Sequence, residues 1–126
     1  MLNRWQGIGN LGRDPETRDS NAGNPITNFS IACTRKWRDS NGNSQEETEW
    51  ANIVCFGKNA EIAGEYLTKG RQVYVEGRLK TSSWDDKETG AKRYKTEIIC
   101  DRFQMLGKRD DAPQQGGGAS DADVPF

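Results

Sequence analysis

The clearest alternation of apolar and polar positions runs Thr48-Glu49-Trp50-Ala51-Asn52-Ile53-Val54-Cys55-Phe56-Gly57-Lys58. A strand sends successive side chains to opposite sides. Trp50, Asn52, Val54 and Phe56 therefore share one face, and Ala51, Ile53 and Cys55 the other. The small apolar set suits a core. The set that carries rings and an amide has no need of burial. Trp50 and Phe56 would stand roughly 20 Å apart along such a strand. Two readings stay open on this stretch alone: a strand buried on both faces in a sandwich, or a strand that offers flat rings to flat partners such as nucleic-acid bases.

The remaining pattern is read outward from this strand. Asn3 to Leu11 predicts a first strand interrupted by glycines. Its Gly7-Ile8-Gly9-Asn10-Leu11-Gly12 matches GxGxxG formally, but a dinucleotide fingerprint needs a buried strand before it and a helix opening at the last glycine. Arg13-Asp14-Pro15 follows instead, so glycines that let a curved strand bend are the better reading. Arg13 to Asn24 reads as a polar loop. Ile26 to Trp37 predicts a second strand, with Phe29, Ile31 and Cys33 on one face and Asn28, Ser30, Ala32 and Thr34 on the other. The turn from Asp39 to Ser44 folds it back onto the opening strand as a long hairpin, which brings Trp37 beside the start of the Trp50 strand.

Lys58 to Leu67 has the spacing of a short helix, with Ile62, Ala63, Tyr66 and Leu67 on one face. Asn59 is its expected N-cap and Gly70 its terminator. Arg71 to Trp84 predicts the fourth strand, in which Val73, Val75 and Leu79 alternate and Gly77 marks a bend. Asp85 to Arg93 is a charged loop around Gly90. Tyr94 to Leu106 predicts the last strand, with Tyr94, Thr96, Ile98 and Cys100 on one side. The order β-β-β-α-β-β, with glycine bends and a helix between the third and fourth strands, predicts an all-β fold: a small closed five-stranded barrel of the OB type with one short helix.

Composition narrows the class. The chain has 126 residues, of which 33% are hydrophobic. That suffices for one domain with a small core. No apolar run approaches the roughly 18 residues of a membrane span, and Met1 to Asn10 lacks an apolar signal core. A cytoplasmic protein is expected, in which the Asn28-Phe29-Ser30 sequon is silent. Cys33, Cys55 and Cys100 form no CxxC pair and there is no histidine, so reduced core thiols are expected rather than a metal site or any cofactor. The first 109 residues hold all 18 basic residues against 15 acids, and the last 17 hold Asp110, Asp111, Asp121 and Asp123 and no base. A mildly basic body thus carries an acidic tail. Residues 108–126, with Pro113-Gln114-Gln115-Gly116-Gly117-Gly118, cannot bury enough surface to fold. The expected division is a folded domain over 1–107 and a disordered linker and tip over 108–126. The tip, Ser120-Asp121-Ala122-Asp123-Val124-Pro125-Phe126, is an amphipathic hook suited to a basic-rimmed apolar pocket on another protein.

Several of these pieces occur together and in order: Gly9-Asn10-Leu11-Gly12-Arg13-Asp14-Pro15-Glu16, Thr48-Glu49-Trp50, Phe56-Gly57-Lys58, Glu65-Tyr66-Leu67, Lys69-Gly70, Val73-Tyr74-Val75-Glu76-Gly77, Gln104-Met105-Leu106-Gly107 and the acidic Pro-Phe tip. With them the chain resembles the bacterial single-stranded DNA-binding protein family, including its phage and plasmid members, from near Asn3 to Phe126. The resemblance implies an OB-fold that assembles, usually as a homotetramer, and wraps single-stranded DNA without strong sequence preference. It implies stacking rings at Trp37, Trp50, Phe56 and Trp84, and cations along the path at Arg4, Arg18, Lys58, Lys69, Lys80 and Arg93. It leaves Trp5 outside the aromatic set, as packing or surface. It further implies a nucleoid-associated protein of replication, recombination and repair, whose partner enzymes are recruited through Asp121, Asp123, Val124, Pro125 and Phe126.

The chain departs from the family pattern in places. Ala122 interrupts the acids of the tip and Val124 stands where isoleucine is common. Ala51 stands where histidine is common, which bears on subunit association. Asn52, Ser82 and Ser83 stand where bases are common, which removes electrostatic contacts. The linker is short, with a reach of roughly 20 Å by random-coil scaling. Two rival functions fit the residues less well. A nuclease would need a clustered acid triplet or a nucleophile motif inside the barrel pattern, and no catalytic residue is expected. A primosome-type OB interaction module would lack the acidic Pro-Phe tip.

Overall fold

The computed structural model of the protein describes residues 1–107; the expected linker and tip lie outside the described residues. The elements are β1 (Trp5–Leu11), β2 (Glu16–Asp19), β3 (Pro25–Arg38), β4 (Ser44–Phe56), α1 (Gly57–Tyr66), β5 (Gln72–Asp85) and β6 (Lys92–Leu106). The strand order is β1-β5-β6-β4-β3-β2, and β1 also pairs with β3. That last pairing, Asn10 with Ala32 and Leu11 with Ile31, closes β1, β3, β4, β5 and β6 into a five-stranded barrel. Only β4 and β6 run parallel. With α1 between β4 and β5, the architecture is the expected OB-fold.

β2 is an addition to the expected order. It lies outside the closed ring and pairs only with β3. Glu16-Thr17-Arg18-Asp19 is exposed throughout, so it carries no apolar alternation to reveal it. What places it is a local network. Thr27, fully buried, donates its hydroxyl to the Ala60 carbonyl at 2.7 Å, and its Oγ1 lies 3.0 Å from Thr17 Oγ1. One threonine thereby links β2, β3 and α1.

The barrel interior holds the expected inward set: Phe29 and Ile31 from β3, Ala51, Ile53 and Cys55 from β4, Val73 and Val75 from β5, and Ile98 and Cys100 from β6. Ala60, Ala63 and Leu67 complete the cluster from the helix. This differs from the expected helix face: Ala60 takes the inner position, while Tyr66 is exposed. Asn59 is not the N-cap. Phe56 holds that position without a side-chain bond, and Asn59 instead donates to the Asp101 carbonyl of β6 at 3.2 Å. Burial also departs from alternation at Val54, which packs with Ile26 and Ile99 in a small cluster outside the barrel. All three cysteines are free; Cys55 and Cys100 are buried and Cys33 is half-buried.

Gly77 sits where the chain bends. The β5–β6 register shifts between Glu76 and Gly77. A Cβ at Gly77 would collide with the Ile99 carbonyl, so only glycine lets the two backbones approach this closely. Beyond the bulge Leu79 is exposed rather than buried, because the strand pair is leaving the barrel. Two hairpin arms result, the distal part of β3–β4 and the distal part of β5–β6, both exposed along their length. No helix among the described residues is long and apolar enough to cross a membrane.

Candidate nucleic-acid interface

Cross-strand partners in an antiparallel pair share a face, so the registers map the outer surface of the barrel row by row. Arg18 of β2 pairs with Ile26 of β3, which pairs with Phe56 of β4. Glu16, Asn28 and Val54 form the next row, and Val54 continues through Ile99 to Arg78. Ser30 and Asn52 follow, then Ala32 and Trp50. On the β5–β6 side the same outer surface carries Lys80 with Glu97, Ser82 with Lys95 and Trp84 with Arg93. Phe56, Trp50 and Trp84 thus share one continuous surface with Arg18, Lys80 and Arg93.

The rings on it are accessible: Trp50 is 58% exposed, Phe56 48% and Trp84 49%. The Trp50 indole is seated over Gly12, where a Cβ would come within 2.6 Å of the ring. Trp37 is 37% exposed but belongs to a different surface. Its partner is Gln45, and by alternation it points to the side of Ile31 and Cys33, the inward side of the arm. The Arg35 guanidinium sits 4.3 Å from the centroid of its ring, a cation–π contact that covers one face and leaves the other for a stacking partner.

The expected cations fall into three situations. Arg18 and Lys80 lie on the outer surface, and Lys58 is the second residue of α1, two residues beyond Phe56; among the described residues none of these has an acid within salt-bridge distance. Arg93 is clamped by Asp86, with Nη2 3.1 Å from Oδ2 and Nε donating to the same oxygen at 3.1 Å. Arg4 lies beside Glu76 at 3.4 Å, on the β1–β5 side of the barrel. Lys69 is exposed in the connection after α1, where its backbone N–H donates to Asp14 at 2.8 Å. Lys95 also stands on the outer surface, paired with Glu97 at 3.3 Å.

Between the rings lies a polar depression of about 360 Å³ whose walls include Arg13, Glu16, Asn28, Ser30, Asn52 and Lys95. Ser30 Oγ donates to Asn52 Oδ1 at 2.9 Å. Asn52, which replaces a base of the family pattern, therefore serves to order the floor of this depression. The two arms are held in shape by aspartates at their turns. Asp39 accepts from the backbone N–H groups of Asn43 and Asn41, both at 2.9 Å, and Asp86 accepts from Glu88 at 2.8 Å. The Asn43 amide is the main cause that holds the Asp39 carboxyl below its ordinary range, and the Glu88 amide followed by the Arg93 guanidinium does so for Asp86. In the core, a bond from the Cys100 thiol and then burial push Cys55 up, and burial alone pushes Cys33 up.

Tyr94, 67% exposed, carries a ring that the sequence places on one side of the last strand with Thr96, Ile98 and Cys100 and leaves outside the stacking set. Its alternation with Ile98 is real; what the pattern did not reveal is that the strand has already left the barrel at that point.

Comparison with known proteins agrees with this geometry. The model of the Single-strand binding protein family matches residues 2–106. A "Single-stranded DNA-binding protein 1" of Chlorobaculum tepidum is 54% identical over 121 residues, 96% of this chain and 72% of that protein. A protein of the same name from Xylella fastidiosa is 51% identical over 116 residues, 91% of this chain and 85% of that one. Among solved structures, a Plasmodium falciparum SSB in complex with ssDNA superposes with a TM-score of 0.76 at 32% identity, covering 85% of this chain and 96% of the other.

Proposed function

From the premise that this chain belongs to the single-strand binding protein family, we propose that it binds single-stranded DNA without strong base preference. It coats and protects strands exposed in replication, recombination and repair. The observation that supports this reading best is the shared outer surface of Phe56, Trp50 and Trp84 with Arg18, Lys80 and Arg93. A single strand exposes base faces and phosphates together. Rings stack on any base, at about 1–3 kcal/mol each, which is why such binding tolerates sequence. Cations displace condensed counterions, so affinity falls with salt.

In this reading residues 1–107 are the DNA-binding domain and residues 108–126 the linker and tip. Trp50, Phe56 and Trp84 stack bases. Arg18, Lys58, Lys69, Lys80 and Arg93 meet phosphates, Trp37 extends the stacking onto the first arm, and Arg4 meets DNA where the strand continues round the barrel. The described residues hold 16 basic side chains against 15 acids, so stacking and wrapping carry more of the affinity than net charge. Wrapping needs several copies, and a homotetramer supplies it through effective concentration. Asp121, Asp123, Val124, Pro125 and Phe126 then recruit replication and repair enzymes. No catalytic step belongs to this function.

The test is a titration of the full chain with oligothymidylate and oligoadenylate, read by quenching of tryptophan emission at low and high salt. Quenching by both oligomers, weakening as salt rises, is the expected result. Absence of quenching by either would overturn the reading.

A further inference from the structure

The second arm, the distal part of β5–β6, leaves the barrel at the bulge between Glu76 and Gly77. Beyond it the arm is a two-stranded ribbon, which alone is marginal in water. The contacts of Arg78 with Asp101 at 3.2 Å and of Thr81 with Thr96 at 3.1 Å join β5 to β6, so they move with the arm. One edge of its root is fixed, since Leu79 pairs with Ile98 and Ile98 with Ile53 of β4. On the other edge the pairing of β1 with β5 stops at Trp5 and Gly77, and no strand faces Leu79. Asn3 fills that place. Its Nδ2 donates to the Leu79 carbonyl, and its Oδ1 accepts the Leu79 N–H, both at 3.0 Å. The two bonds fix the amide, because reversing it would set donor against donor and oxygen against oxygen. Among the described residues, Asn3 is the only side chain outside β5, β6 and their turn that makes a hydrogen bond or ion pair to the arm short of Asp101.

We propose that Asn3 is a positioning residue for DNA binding: its amide stands in for a third strand at Leu79 and sets the direction in which the second arm presents Lys80 and Trp84. The inference rests on the single-stranded DNA-binding reading and deepens it. A ribbon held along one edge can pivot about that edge. Held on both, as in the row Asn3, Leu79, Ile98 and Ile53, it cannot. Trp84 follows Leu79 on β5 by about 17 Å of extended strand. At that lever a tilt of about 10° displaces the ring by roughly 3 Å, whereas a gap of about 0.5–1 Å already forfeits a quarter to a half of a dispersion contact. Stacking at the end of the arm therefore depends on a fixed root. The Arg4–Glu76 pair does not supply it. That pair lies before the bulge, and Arg4 is largely exposed, where an ion pair contributes little. Without Asn3 the bound strand itself has to order the arm, and apparent affinity falls with the fraction of arms already in place.

The test is a double-mutant cycle in the full chain, read by the anisotropy of fluorescently labelled oligothymidylate. Asn3→Ala should weaken affinity by about fivefold, the equilibrium factor of two net hydrogen bonds at the lower end of their range. Added to Trp84→Ala, it should weaken binding by less than about twofold, within the tolerance for such cycles, because a strand that no longer stacks on the arm gains little from its direction. Added to Trp50→Ala, which lies outside this arm, it should again cost about fivefold, as independent sites do. Unchanged affinity in Asn3→Ala would overturn the assignment. So would a loss that multiplies fully with Trp84→Ala, or one that fails to multiply with Trp50→Ala, the mark of a general structural defect. No binding by the unaltered chain would remove the DNA-binding reading itself. Trp84→Ala without effect would take Trp84 out of that reading, and the role of Asn3 with it.

Discussion

The Cζ3–Cη2 edge of the Trp50 indole sits against Gly12: a Cβ built at Gly12 would stand 2.6 Å from Cζ3 and 2.8 Å from Cη2 of the ring. The missing side chain at the end of β1 is what lets a ring on β4 lie along the surface. Gly12→Ala should therefore tilt Trp50 rather than disturb the core, because the ring is exposed and can turn. A loss of about 1 kcal/mol in affinity for oligothymidylate is expected, a fraction of one stacking contact, with the midpoint of thermal unfolding nearly unchanged. Equal affinity in the variant would show that the orientation of Trp50 is immaterial.

Exposure alone does not make a ring part of the interface. Tyr66 is 56% exposed, much like Trp50 at 58%, but it stands on α1 and off both ring-bearing surfaces. Trp50→Ala and Trp84→Ala should each cost about 1–3 kcal/mol of DNA affinity, and Tyr66→Ala should cost nothing measurable. Comparable losses at all three positions in one titration series would refute the assignment by surface.

The divide between what the pattern foretold and what it hid follows from where the sheet stops being half-buried. Along Phe29-Ser30-Ile31 and Ala51-Asn52-Ile53 one face meets the core and one meets water, so period-two alternation reports both strands and their facing. Gly77 announced its bend because nothing else fits beside a crossing carbonyl. β2 gave no signal, since all of its side chains face water and a hydroxyl network on Thr27 holds it. Leu79 and Tyr94 are exposed for one reason. They keep the inward phase of their strands but lie past the bulge, where inward no longer means buried. Val54 failed in the other direction, because Ile26 and Ile99 come together outside the barrel through the pairing of β4 with β6, which local spacing cannot express.

Arg93 reaches any phosphate only by leaving Asp86, which holds it through two contacts at 3.1 Å. Asp86→Asn keeps an oxygen to accept from the Glu88 amide but removes the charge that competes with DNA. Affinity at low salt should rise. The slope of log affinity against log salt should steepen by about 0.7, the value for one more phosphate contact on a single strand. An unchanged slope would place Arg93 outside the DNA path.

Acidification should act first on the arms. Asp39 and Asp86 have carboxyls held below their ordinary range by turn amides and, for Asp86, by Arg93. A depressed folded value means that the stabilisation is complete above the unfolded carboxylate value of about 4 and fades as pH falls through the lower folded value. The turns should thus open at pH values below about 4, with rising pH restoring them. Amide exchange at Asn41, Asn43, Glu88 and Thr89, followed against pH, checks this. Protection at these sites that survives as long as that of the buried β3–β4 pairs would count against it.

The acidic segment offers the sharpest test of how charge and stacking divide the binding. Residues 110–126 hold four acids and no base, so they should compete with phosphate for the same cations. Their removal should tighten DNA binding at low salt. The gain should shrink as ionic strength rises, because a competition between exposed charges is screened within a Debye length of about 8 Å at physiological salt. Stacking is indifferent to that screening, so the quenching amplitude at saturation should match that of the full chain at every salt concentration. A truncated chain that binds equally well or more weakly at low salt would mean that the acids never occupy the groove, and the cations on the outer surface would then need another explanation for their modest surplus.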